Sequence, residues 1–357
     1  MDSSQRMGGS APAVTRALLH ELPKTDLHVH LDGSLRPGTM LDLAREYGVA
    51  MPAADEAALA DYMFVKDARN LVDYLQRFDI TLSVMQTAAA IERIAYELAE
   101  DAAAENVRYM EVRFCPVLNT RQGLGHHEAV QASLQGLRRA ELDYGIRAGV
   151  IVCGLRNLDP STSLELAEVA VDFIGGGVVA FDLAGAENGH PPTDHQAAFD
   201  VATRANLPVT IHAGEAFGAT SIHQAVHACH ARRIGHGTRL HEDPDLLRFV
   251  NDFRIPLEVC LTSNVQTRVT SSMAGHPARL YYDHGLVVTL NTDNRLMSRT
   301  SVTEEYWQAH TELAFDWDAL CDVALMGFEA AFLPYPEKSA LMEAIAAEIL
   351  ELGTNAA

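Results

Sequence analysis

Eight short apolar runs punctuate this 357-residue chain, and longer stretches of helical periodicity separate them. The runs are TDLHVHL (25–31), VRYMEVRFC (107–115), IRAGVIVC (146–153), VVAFDLAG (178–185), PVTIHAG (208–214), RIGHG (233–237), PLEVCL (256–261) and VVTLNTD (287–293). Near-continuous apolar strands alternating with helices predict a parallel sheet covered on both faces. Eight such units predict a (β/α)8 TIM barrel. The sixth run, short and glycine-rich, has the least strand character.

The spacing predicts helices over 163–175 and over 126–145, the latter closed by Gly145 as a C-cap. No repeat, low-complexity block or Pro/Gly-rich linker divides the chain, so residues 1–357 read as a single domain with residues 1–15 flexible. Two segments exceed an ordinary barrel connection. One, 32–106, is helical over 70–87 and 91–106 and is expected to lie over the barrel mouth. The other follows the eighth strand to the C-terminus as extra helices.

Composition narrows the partners. A net charge of −21 repels phosphate backbones, which argues against nucleic acid but not against a small nucleoside. No uninterrupted apolar stretch is long enough for a membrane span, and the first residues lack the apolar core of a signal peptide. Five cysteines without a CxxC pattern, three of them in apolar runs, fit reduced thiols and a cytoplasmic location. The sequence does not specify an oligomeric state.

Ionisable residues gather where the runs end. His28 and His30 end the first, Glu111 and Arg113 lie near the end of the second, and Asp182 is in the fourth. His212 ends the fifth with Glu215 just beyond, His236 ends the sixth, and Asp293 ends the eighth. In a parallel barrel these ends share one rim, where active sites sit. Charge inside an apolar run is costly unless paired or metal-bound. One common site accounts for all of them.

Residues two apart on a strand face the same way, so His28 and His30 can converge. Alone they are either core histidines or two ligands of one ion. His212 on the same rim adds a third imidazole, and Asp293, otherwise a turn or N-cap aspartate, can add an oxygen. Such a donor set suits zinc, which lowers the pKa of a bound water to about 7. Glu215 reads as a general acid with a raised pKa or as a loop glutamate. His236 reads as a residue that orients or deprotonates the water, or as a core histidine.

KTDLHVHLDGSLRP, YMEVRF, FDLAG, TIHAGE, RIGHG, CLTSN and LNTD follow one another in the order and spacing of adenosine deaminases. The chain resembles that family over roughly residues 20–345. The resemblance implies a (β/α)8 barrel with one zinc ion, Zn2+, per chain, held by His28, His30, His212 and Asp293. It implies Glu215 as the proton donor to purine N1 and His236 as the residue that positions and activates the water. It further implies that Gly185 offers its backbone N–H to N3 and that Asp32 accepts from the ribose 5′-hydroxyl. The implied reaction is hydrolytic deamination of adenosine and 2′-deoxyadenosine to inosine and deoxyinosine, releasing ammonia, in purine salvage. The PCxxC motif of the cytidine and tRNA-adenine deaminases is absent from the sequence.

Two departures stand out. Asn294 replaces a frequent second aspartate in TDNR, and its amide can donate to purine N7 at any pH. Ala186 in DLAGAEN stands where an acid often follows the glycine. The main rival is a deaminase of adenine or of a futalosine-type nucleoside on the same barrel. Relatives of those kinds tend to carry glutamate at the position of Asp32, while those acting on N6-modified monophosphates tend to carry asparagine. A 5′-phosphate is disfavoured by a carboxylate there. A decayed, non-catalytic scaffold would have lost Glu215 or a ligand, and a two-metal hydrolase would carry a bridging lysine that VVAFDLAG lacks. Leu75 and Phe78, in LVDYLQRFD, either face the substrate or pack as plain helix residues.

Overall fold

The computed structural model describes residues 12–66 and 69–356. Most of 1–15, where flexibility is expected, lies outside them. Within them, Thr15 caps the helix Arg16–Glu21, its hydroxyl accepting from the Leu18 N–H at 3.1 Å.

All eight runs form strands: β1 Lys24–His30, β2 Val107–Phe114, β3 Arg147–Leu155, β4 Val178–Ala184, β5 Thr210–Ala213, β6 Arg233–His236, β7 Leu257–Val259 and β8 Val288–Leu290. Even the short sixth run pairs on both sides, with β5 and with β7. Every pairing is parallel, in two four-stranded sheets ordered β1-β2-β3-β4 and β5-β6-β7-β8. Single parallel bridges span the two seams, Phe181 to Val209 and Val29 to Asp293. At the second seam His30 N–H donates to Asp293 O at 2.7 Å and Asp293 N–H to His28 O at 2.8 Å. This is the α/β barrel architecture expected from eight parallel β/α units.

Helices cover the strands as their periodicity requires. His126–Tyr144 ends at Gly145, whose φ of 73° supplies the left-handed C-cap. Pro160–Asp172 begins with proline at N1 behind an Asp159 cap. The long segment after β1 divides by role. Ala88–Ala104, capped by Thr87, buries Ile91, Ile94, Ala95 and Leu98 against the barrel wall. The continuous helix expected over 70–87 is instead two short ones, Leu71–Leu75 and Phe78–Ser83. No proline or glycine marks that break. The C-terminal helices Trp317–Ala330 and Tyr335–Ala356 complete the chain, and Gly327 admits Thr25 of β1 so closely that a Cβ there would lie 2.1 Å from the Thr25 hydroxyl. Among the described residues, no helix is long and apolar enough to cross a membrane.

The barrel interior is ionic below its mouth. Arg113 reaches Asp182 at 3.0 Å and Glu258 at 2.9 Å. Arg233 reaches Glu258 at 2.6 Å and also binds Glu111. All five are at most 1% exposed. Glu111 therefore does not join the rim: it pairs with the first residue of β6 and accepts from the Phe332 backbone at 2.6 Å. Paired this way, charges persist in a core that would expel them singly.

Candidate active site

Four side chains close one end of the barrel. His28 and His30 leave β1 toward the same point, His212 comes from β5, and Asp293 follows β8. Their ligand atoms lie within 4.8 Å of one another. His30 Nε2 is 3.2 Å from His212 Nε2 and 3.4 Å from Asp293 Oδ1, and His28 Nε2 is 3.6 Å from the same oxygen.

The proton positions follow from what stands behind the rings. His28 Nδ1 donates to Glu258 Oε2 at 2.8 Å, and His212 Nδ1 donates to Asp182 Oδ2 at 2.9 Å. Both rings thus point bare Nε2 lone pairs inward, and His28 Nε2 is buried without a partner. Burial pushes His30 and His212 below the usual histidine range, which favours neutral rings, whereas for His28 burial and Arg113 are outweighed by Asp293 and Glu258, which hold it above that range. Burial alone would raise Asp293, but the imidazoles of His28, His30 and His236 around it outweigh that and hold the carboxyl well below its ordinary value. Its other oxygen accepts from Ser263 Oγ at 2.6 Å. Imidazoles backed by carboxylates, together with an ionised aspartate, are the donor set of a zinc site. These residues fit such an ion.

Two groups beside the quartet carry protons. Glu215 is 4% exposed, and burial, followed by the charges of Asp293 and Glu187, pushes its carboxyl well above the usual range. His236 Nε2 lies 3.7 Å from Glu215 Oε2. The tautomer of His236 is set from a distance. The Ala278 backbone N–H donates to His276 Nδ1 at 3.1 Å, so His276, pushed down to about 3 by burial and neutral, carries its proton on Nε2. That proton goes to Asn264 Oδ1 at 3.0 Å, where Thr238 Oγ1 also donates at 3.1 Å. Asn264 Nδ2 is left to donate to His236 Nδ1 at 3.0 Å. The neutral His236 ring therefore holds its proton on Nε2, facing the site.

Backbone geometry aims these groups. His236 has φ 63° and Asp293 φ 59°, left-handed conformations that turn each chain sharply at its strand end. Gly235 lets β6 approach: a Cβ there would stand 3.1 Å from His28 Cε1.

A cavity of about 260 Å³ opens over the quartet. Asp32, Gly185 and Asn294 line it, as do Leu75 and Phe78 from the two short helices. Asp32 Oδ1 is buried without a partner and stays out of the ligand cluster. Asn294 leaves its Oδ1 unpartnered. Its side chain fills the space of the missing Gly33 Cβ, which would lie 1.8 Å from Asn294 Oδ1. The acid absent at Ala186 is present one residue on, as Glu187.

Several residues here were not singled out from sequence. Glu258 sits mid-strand in PLEVCL, where an acid in an apolar run was itself the signal. Ser263 and Asn264 lie in CLTSN, a motif that shows no role until the loop is folded. Arg156 and Glu187 carry no signal beyond their charge.

Imidazoles and a carboxylate gathered at the strand C-termini of a parallel barrel, with a protonated acid beside them, define a metal-dependent hydrolase of the amidohydrolase type. The adenosine deaminase family model matches residues 23–348. The chain belongs to the adenosine deaminase family and is a deaminase hydrolase. The adenosine deaminase of Mycobacteroides abscessus is 42% identical over 341 residues, spanning 90% of this chain and 94% of its own. A Burkholderia ambifaria amidohydrolase solved with bound zinc superposes with a TM-score of 0.87 at 28% identity, covering 98% of this chain and 97% of its own. An adenine deaminase from Arthrobacter aurescens superposes with a TM-score of 0.84 at 27% identity, covering 92% and 98%.

Proposed function

We propose that this enzyme deaminates adenosine and 2′-deoxyadenosine to inosine and deoxyinosine, with one zinc ion per chain, in cytoplasmic purine salvage. The observation that carries the reading is Asp32 Oδ1, which has no hydrogen-bond donor and only the His30 ring 4.0 Å away, in the cavity that His30, His212, Asp293 and Glu215 also line. Burial pushes Asp32 up to about 7, and a buried carboxyl oxygen without a donor is costly unless a ligand hydroxyl satisfies it. A ribose 5′-hydroxyl supplies that donor, and free adenine does not.

His28, His30, His212 and Asp293 would hold the zinc, which supplies a Lewis acid that activates water. The chain's own residues do the rest. Gly185 offers its backbone N–H to N3 and Asn294 an amide N–H to N7, orienting the base. Leu75 and Phe78 cover its apolar faces and exclude water. His236 donates from Nε2 and so orients the oxygen that adds at C6. Glu215 delivers its proton to N1 as the water oxygen adds at C6; one proton of that water passes to the amino nitrogen, the C6–N bond breaks with release of ammonia, and the other proton restores Glu215 as C6 becomes a carbonyl.

A panel of adenosine, 2′-deoxyadenosine, adenine, AMP and a futalosine-type nucleoside tests the reading. Adenosine and deoxyadenosine should be turned over best. Consumption of adenine with adenosine untouched would reassign the enzyme to free-base deamination, the activity in the name of its Arthrobacter neighbour. Asp32→Ala should raise KM for adenosine by about 10- to 100-fold, the worth of a hydrogen bond to a charged group. Equal effects on adenosine and adenine would remove the ribose role.

A further inference from the structure

The turn that carries Glu215 is gripped by one side chain from a different part of the barrel. Glu187, in the loop after β4, is 4% exposed. Its Oε1 accepts from the Gly214 N–H at 2.7 Å. Its Oε2 accepts from the N–H groups of Glu215 at 3.0 Å, Ala216 at 2.6 Å and Phe217 at 2.9 Å. Four consecutive amides facing one oxygen pair form an anion-binding concavity, here filled by a residue of the same chain. Only a carboxylate accepts at both positions; a carboxamide would set an NH₂ against backbone donors. Arg156 braces the same region from below, binding His190 O at 3.0 Å and His212 O.

We propose that Glu187 is the positioning residue of the proton donor, its carboxylate fixing the 214–217 turn so that the Glu215 side chain stands in the cavity. The proposal rests on the reading of Glu215 as the donor to the purine. Fixed negative charge beside Glu215 also keeps its carboxyl protonated. Asp293 acts in the same sense, while Arg156 opposes it, and His236 faces it at 3.7 Å. A clamp that merely stops the loop from fraying would leave the ratio of kcat to KM effects even. A clamp that aims the donor concentrates its effect in kcat.

The test compares Glu187→Gln and Glu187→Asp with the wild-type holoenzyme. Metal content, steady-state kinetics across pH and amide hydrogen exchange over 214–217 are measured on each. Glu187→Gln should retain the wild-type metal content, lose protection at the four amides and lower kcat about 10²-fold while KM moves only a few-fold. The alkaline limb of its rate profile should shift to lower pH, since the charge that favours protonated Glu215 is gone. Glu187→Asp, which keeps the charge, should recover part of kcat. Unchanged protection in Glu187→Gln, or lost protection with wild-type kcat, would overturn the proposal. The adenosine reading fails separately, in the wild-type protein on the purine panel. The exchange measurement needs no substrate, and the kinetic ratio is taken on whichever purine the wild type deaminates.

Discussion

As the proposed proton donor, Glu215 has a protonation whose sign can be checked. Burial and the nearby carboxylates push its pKa well up, which favours the proton-donating form. Activity should therefore be lost as pH rises through that raised pKa, not as it falls. Glu215→Gln should lower kcat by about 10²–10⁴-fold, remove the alkaline limb and leave metal content unchanged. Loss of metal in that variant would make Glu215 a ligand and sink the assignment. His28, His30, His212 and Asp293 were legible because strand periodicity places them at ends that must share a rim. Glu187 and Asn264 were not, because their roles depend on which backbone amides and rings a loop brings within 3 Å. Nothing in a linear pattern states that.

At the scale of elements, the strands were legible to within a few residues, and the lid was not. Apolar residues at 71, 74, 75, 78 and 82 keep helical spacing through the break after Leu75, and all five line the cavity. A pattern that serves a cavity looks the same as one that serves a continuous helix. Tyr74 ties the first short helix to the helical turn Arg295–Ser298 after β8, its hydroxyl 3.0 Å from Ser298 Oγ. Phe78 stands in T-shaped contact with His30, ring centroids 6.5 Å apart. Phe78→Ala should therefore raise KM for adenosine about tenfold, the worth of ~1–2 kcal/mol of apolar contact, with little change in kcat or melting temperature. A large fall in melting temperature with KM unchanged would make Phe78 a packing residue only.

The whole molecule shows why the site residues come from such distant parts of the chain. The ionic cluster of Arg113, Asp182, Glu258, Arg233 and Glu111 fills the barrel axis, and its top two acids orient His28 and His212. Stability and ligand geometry are thus carried by the same carboxylates. The seams carry a further consequence. The sheet β1–β4 and the sheet β5–β8 meet through one bridge on each side. His28 and His30 belong to the first, while His212 on β5 and Asp293 after β8 belong to the second. An ion held by two ligands from each half would rivet the half-barrels together across a junction that few backbone bonds span. Chelation should then lower the melting temperature by about 5 °C or more. Amide exchange should quicken first along the two seams, leaving each half-barrel protected. Uniform loosening would mean the ion serves chemistry alone. An ion held there would also be the fastener of the fold, and conditions that strip it should unzip the two seams.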